Sequence, residues 1–191
     1  MKLLPRFYKS QKRETNQAAK PVLFLTASAF TLRTLAGREE PRSVSCTRKI
    51  TEDEMKISIE TEVKAPLSNV WDAWVTPEDI TSWNFAIDEW CCPKAEINLQ
   101  EGDKFNYRME AKDGSMGFDF EGRFTEIKPH KSICYELEDS RVVTVEFSET
   151  TSGVRVIQTF EAEDENSAEQ QRQGWQSILN NFKKHVEAKS N

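Results

Sequence analysis

No apolar run in the chain approaches the ~20 residues of a membrane-spanning helix, so no stretch reads as a membrane anchor. The four cysteines, Cys46, Cys91, Cys92 and Cys134, contain no CxxC pair. Adjacent cysteines such as Cys91 and Cys92 rarely bond to each other, and nothing marks the disulfide framework of a small secreted protein. Histidine is almost missing, with only His130 and His185. With the four cysteines that makes a zinc site possible on paper but poorly supplied with ligands, and neither a metal nor a cofactor is expected. The reading is reduced thiols in a cytoplasmic protein. Internal repeats and low-complexity segments are also absent. The last shortage is of positive charge where a nucleic acid would need it. Residues 1–50 carry eleven Lys/Arg against three acids, a net of +8, so the rest must hold −14 to give the overall −6. An acidic body argues against binding a phosphate backbone, which takes clustered Lys/Arg.

What is present falls into two parts. Residues 1–54 are basic, rich in Ser and Thr, and show no sustained period. The apolar run 22–30 sits behind a basic start, as in a signal or transit peptide. For a secretory signal the leader is too long, and Thr26 and Ser28 interrupt the apolar core. Organelle targeting, a disordered tail, and translation that starts at Met55 all remain open readings. The expectation is an extension over 1–54 that is no part of the folded unit, and one domain over 55–191.

From Met55 the periodicity sharpens. Ile57, Ile59, Thr61 and Val63 alternate with Ser58, Glu60, Glu62 and Lys64, as in a half-buried strand. Pro66 stops it and suits the first turn of a short helix with Val70, Ala73 and Trp74 inside. Thr76-Pro77-Glu78-Asp79 opens a second, capped by Thr76 and burying Ile80 and Trp83. Asn84 to Pro93 reads as an aromatic loop, and Ile97 and Leu99 as a short strand. A meander follows: Phe105, Tyr107, Met109 and Ala111 on one face; a hairpin at Asp113-Gly114; then Met116, Phe118, Phe120 and Phe124. Ile127 breaks that parity and predicts a bulge near Gly122. Further inward sets are Ile133, Tyr135 and Leu137; Val143, Val145 and Phe147; and Val154, Val156, Gln158 and Phe160.

The chain then enters a helix from Ser167 to Lys189, about 33 Å long at ~1.5 Å per residue. Ser167 and Gln170 have the spacing of a capping box. Trp175, Ile178, Leu179, Phe182 and Val186 make one apolar face. Glu163, Asp164 and Glu165 lie at the positive end of its dipole, and Lys183, Lys184, His185 and Lys189 at the negative end. One strand, two short helices, six strands and a long helix make an α+β domain, in which a twisted antiparallel sheet of about seven strands curls around the terminal helix.

The run Ala65-Pro66-Leu67-Ser68-Asn69-Val70-Trp71-Asp72-Ala73-Trp74 resembles the opening helix of the SRPBCC (START-like, helix-grip) superfamily. So do Thr76-Pro77-Glu78 followed by Trp83, the Gly122 … Ile127-Lys128-Pro129 step, and Gly174-Trp175. Within that superfamily the chain is similar to the branch named for the activator of the heat-shock protein 90 ATPase homologue, over about Lys56 to Glu187. The resemblance implies the helix-grip fold, with a cavity between the long helix and the concave sheet. It leaves function open, because the superfamily hosts lipid carriers, cyclases, dioxygenase domains and co-chaperone domains.

Parity and the implied fold together nominate the cavity wall: Trp74, Trp83, Phe85, Trp90, Phe105, Tyr107, Met109, Phe118, Phe120, Tyr135, Phe147, Gln158, Trp175 and Leu179. Such a set suits a small apolar molecule held by shape, with Tyr107, Tyr135 or Gln158 orienting it. The same rings could instead simply fill a core. No inward acid/base pair is evident: Asp119, Glu121 and Glu136 have outward parity, and His130 and His185 read as surface residues. Cys91-Cys92 reads as a buried or half-buried thiol pair with no base nearby. The expectation is a non-catalytic ligand-binding domain. Its rivals are an enzyme of the polyketide cyclase or hydrolase kind using the same cavity, and an interaction module acting on a chaperone. Known activators of the latter kind carry a second domain before this one, for which residues 1–54 are too short and pattern-poor.

Overall fold

The computed structural model describes residues 55–190. The expectations for the extension, and Cys46, lie outside the described residues.

Alternation of apolar and charged side chains produces seven antiparallel strands, in the order β1-β7-β6-β5-β4-β3-β2 across one sheet. They are β1 (Lys56–Val63), β2 (Trp90–Ile97), β3 (Lys104–Ala111), β4 (Gly117–Lys128), β5 (Ser132–Leu137), β6 (Val142–Glu149) and β7 (Val154–Glu161). Two short helices, α1 (Leu67–Val75) and α2 (Pro77–Trp83), follow β1, and the chain ends in the 22-residue α3 (Ala168–Lys189). The architecture is the α+β helix grip: β2 to β7 form a meander, and β1 closes on β7.

Ser167 caps α3 through the capping box, its Oγ accepting from Gln170 N while the Gln170 side chain accepts from Ser167 N. Behind that cap, Gln171 is 1% exposed and braces the preceding turn. Its Nε2 donates to the carbonyls of Glu163 and Asn166, and its Oε1 accepts from Glu163 N. The helix also covers the open edge of β1. Arg172 Nη1 donates to Ser58 O at 2.7 Å, Gln176 Nε2 to Glu60 O at 3.2 Å, and Glu187 Oε1 accepts from Lys64 N. Side chains thus satisfy an edge that would otherwise be open to another strand.

Several boundaries differ from the expectation. The segment Asn84–Pro93 is a loop only to Glu89; β2 begins at Trp90, absorbs both cysteines and ends at Ile97, so Leu99 lies beyond it. Pro93 is tolerated because β2 is the sheet edge and its register with β3 shifts between Cys91 and Lys94. The bulge of β4 lies between Phe124 and Glu126, not at Gly122, and it turns Ile127 inward opposite Ile133. Gly122 answers a different need. A Cβ there would come within 2.6 Å of the Phe105 ring and 2.8 Å of Glu136 O, so only glycine lets that ring lie flat across β4. Pro66 is the N-cap of α1 rather than its first residue, and Thr76 precedes α2 without a side-chain capping bond.

Candidate functional site

The concave face of the sheet and the inner face of α3 converge on a cavity of about 60 Å³. Strand parity delivers Phe105, Tyr107 and Met109 from β3, Phe118, Phe120 and Phe124 from β4, Ile133 and Tyr135 from β5, and Gln158 from β7. The helices add Trp74, Trp83, Trp175 and Ile178, while Asn84 and Ile97 complete the wall. Four of these, Ile97, Tyr107, Phe120 and Ile178, are half-buried and mark the side on which the cavity meets solvent.

Interlocked rings hold the wall. Trp175 stacks on Phe160 with centroids 4.4 Å apart and meets Phe120 edge-on. At the other end Trp74, Trp83 and Phe182 pack mutually at 4.8–5.2 Å, and Trp83 Nε1 donates to Ala73 O. These contacts weld α1 and α2 to α3, so three of the four expected tryptophans have fixed positions in the wall.

Four of the fourteen nominated residues lie elsewhere. Phe147 has inward parity, but the rings of Trp71 and Trp74 cover it at 5.5 and 5.6 Å. Trp90 packs on Phe118 at 5.9 Å and does not itself line the cavity. Leu179 is turned into the core at 1% exposure, and its neighbour Ile178 takes the place by the cavity. Phe85 is in the loop, half-buried under Lys112 Nζ, with its carbonyl accepting from Asn181. Asn84, Ile97, Phe124, Ile133 and Ile178 were missed. Phe124, Ile133 and Ile178 had the right parity or face, whereas nothing in the pattern singled out Asn84.

The polar content of the wall is small. Gln158, 5% exposed, donates from Nε2 to the Tyr135 hydroxyl at 3.4 Å. Among the described residues the Tyr107 hydroxyl has no hydrogen-bond partner, and Trp175 Nε1 is a buried nitrogen without one. Burial pushes both tyrosine hydroxyls above their ordinary range; Tyr135 adds to the rise at Tyr107, while Cys134 adds to it at Tyr135 and the Gln158 hydrogen bond works against it there. Asn84 Nδ2 lies 3.9 Å from Met109 Sδ. No lining residue carries a charge.

Outside the cavity, Cys92 is buried and its thiol is pushed up to about 11 by desolvation, which makes it a poor nucleophile. Half-buried Cys91 donates to Glu110 O. His130 is exposed, at a left-handed turn position (φ 59°) against Trp71. His185 is no surface histidine: its Nε2 lies 2.7 Å from Oδ1 of Asp79, a carboxylate 6% exposed on α2. Lys189 Nζ donates to both oxygens of Asp79 at 2.8 Å. Among the described residues no cluster of three or more metal-ligating side chains occurs, and no helix is long and apolar enough to cross a membrane.

The sequence profile of the family described as Activator of Hsp90 ATPase homolog 1-like protein matches residues 64–187. The solution structure of the AHSA1-like protein from Aeromonas hydrophila is 41% identical with a TM-score of 0.68, over 71% of this chain and 94% of that one. The solution structure of Chr148 from Cytophaga hutchinsonii is 39% identical with a TM-score of 0.62, over 70% and 93%. Protein CV1439 from Chromobacterium violaceum, at 21% identity and a TM-score of 0.62 over 69% and 96%, shares the fold. No protein of curated function matches the chain.

Proposed function

The chain belongs to the family of Activator of Hsp90 ATPase homolog 1-like proteins, and from that premise we propose that its domain is a non-catalytic binder of a small apolar molecule. The observation that carries this reading is a charge-free cavity walled by rings, with tyrosine hydroxyls on one wall. A site built mainly of apolar surface with a few polar groups holds its ligand by area and shape. The 60 Å³ volume limits the occupant to something slender unless the half-buried residues swing aside. Burying roughly 200 Å2 of such a molecule at ~25 cal/mol per Å2 contributes about 5 kcal/mol, a dissociation constant on the order of 0.2 mM before ordering costs.

Catalysis has less support. The titratable groups of the wall are Tyr107 and Tyr135, and burial moves both away from neutrality, where a general acid or base is needed. The chaperone-module reading, which the family's name suggests, wants a sizeable exposed apolar patch. Among the described residues Met55, 63% exposed, is the one large apolar side chain so placed.

Ile178 gives the test. A bulky ring at this half-buried place on the open side of the cavity blocks entry with little effect on the core. Ile178→Trp is expected to weaken binding of ethylbenzene or naphthalene by tenfold or more, about 1.4 kcal/mol, with the melting temperature within a few degrees of wild type. Lys184→Trp, exposed on the same helix, should do neither. Equal binding by the two variants, or no binding of any apolar compound to the wild type, would overturn the reading.

A further inference from the structure

The unspent hydrogen-bonding capacity of the cavity includes several donors. Tyr135 Oη accepts from Gln158 Nε2, which leaves its own hydrogen free to donate. Rotating the Gln158 amide by half a turn would let Oε1, otherwise a spare acceptor, take the Tyr135 hydrogen and leave a second hydrogen on Nε2, so donors remain over in either orientation. Trp175 Nε1 adds a buried donor without a partner among the described residues, and the hydroxyl of half-buried Tyr107 adds another toward the open side of the cavity. Tyr135 is close enough to Tyr107 to bear on its ionisation. Both line the same charge-free wall, with Phe105 between them at 4.8 and 5.1 Å.

A buried donor left unpaired, as at Tyr135 and Trp175, is costly, and an occupant that offers it an acceptor recovers that cost. A carboxylate would offer acceptors too, but no Lys, Arg or His lines the cavity to balance its charge. Burying an unpaired anion is far more expensive than burying a neutral carbonyl. A pure hydrocarbon leaves the donors unspent.

Resting on the ligand-binding reading above, we infer that the occupant is a slender uncharged molecule whose polar end is a hydrogen-bond acceptor of the carbonyl kind, received by Tyr107 and Tyr135. Gln158 acts as a positioning residue, holding the Tyr135 hydroxyl so that a donor faces the cavity. Trp175 Nε1 is the further donor available to a second acceptor atom.

Three probes of matched size separate the possibilities: acetophenone, ethylbenzene and benzoate, titrated at pH 7.5 into the 15N-labelled full chain and followed by amide and indole NMR shifts. Acetophenone is expected to bind about tenfold more tightly than ethylbenzene, and benzoate more weakly than acetophenone. Tyr107→Phe and Tyr135→Phe should each narrow the ratio of ketone to hydrocarbon affinity, and the amide spectrum shows directly that each variant is folded. Gln158→Leu should narrow it too, without removing either hydroxyl. If ketone and hydrocarbon bind alike, the donors are served by buried water only and the inference falls while the ligand-binding reading stands. Tighter binding of benzoate than of acetophenone also overturns it. If none of the three binds, both fall together.

Discussion

Replacing Trp175 by alanine is expected to unfold the domain or leave it barely folded. The side chain is 6% exposed, stacked on Phe160 from β7 and edge-on to Phe120 from β4. It therefore ties the first half of α3 to two strands that are not neighbours in the sheet. Truncating a buried Trp to Ala costs about 3–5 kcal/mol, against a total of ~5–15 kcal/mol for an ordinary domain. Trp175→Phe should retain the stack on Phe160 and cost under half as much, since the Nε1 it removes has no partner to lose. Chemical denaturation of the two variants checks this. A loss of under ~1 kcal/mol for Trp175→Ala would mean that the stack is not what holds α3 on the sheet.

The second large effect is expected where α2 meets the end of α3. Burial works to raise the Asp79 carboxyl, but its hydrogen bonds and charge interactions with Lys189 and His185 outweigh this and hold it below the ordinary carboxylate range. A carboxyl depressed on folding contributes stability that is present above its unfolded value near ~4 and is lost as pH falls through the folded one. Removing both partners, in His185→Ala/Lys189→Ala, leaves a carboxylate 6% exposed with neither. The cost of breaking a buried pair is about 3–5 kcal/mol. The lower end is expected, since the Lys189 side chain is 61% exposed and water can take its place.

The pH dependence should change sign with it. In the double variant burial alone acts on Asp79, so its folded value rises, and stability is lost as pH rises from the unfolded value through the folded one. Wild type should weaken on acidification below about pH 5, while the double variant should recover stability from Asp79 at higher pH, on acidification toward the unfolded value near ~4. Adding Asp79→Asn should recover part of the loss at neutral pH. Melting temperatures from pH 3 to 8 decide it, and parallel curves for wild type and double variant would show that Asp79 gains nothing from these partners.

Much of the fold was legible because its strands alternate and its long helix has a three-and-four apolar face. The inward sets Ile133, Tyr135 and Leu137, or Val154, Val156, Gln158 and Phe160, are buried as their parity demands. The capping box at Ser167 was readable because it is a local interaction, complete within four residues. Departures occur where a distant partner decides. Trp90 to Pro93 looks like loop in isolation, and it is strand because β3 lies beside it. The bulge falls after Phe124 because the pairing of β4 with β5 shifts there. Gly122 signals a close approach of the Phe105 ring, and that ring is remote in sequence.

The cavity divides in the same way. Parity separates concave from convex, so it brings Phe105, Tyr107, Met109, Tyr135 and Gln158 to one side of the sheet. It cannot say how far along the strand a ring is before a second layer covers it. Phe147 shares the concave face, and the α1 rings of Trp71 and Trp74 lie over it. On α3, adjacent residues differ by about 100° in direction, and the angle at which the helix crosses the sheet sent Leu179 into the core and Ile178 to the cavity. His185 read as a surface residue because its partner, Asp79, is 106 positions away. The sequence by itself determined the order of the elements, most of their inner faces and the family. The tertiary structure alone decided which inward rings enclose a space, which donors in it remain unspent, and which charges meet. Those depend on distances between strands and helices that no local period encodes.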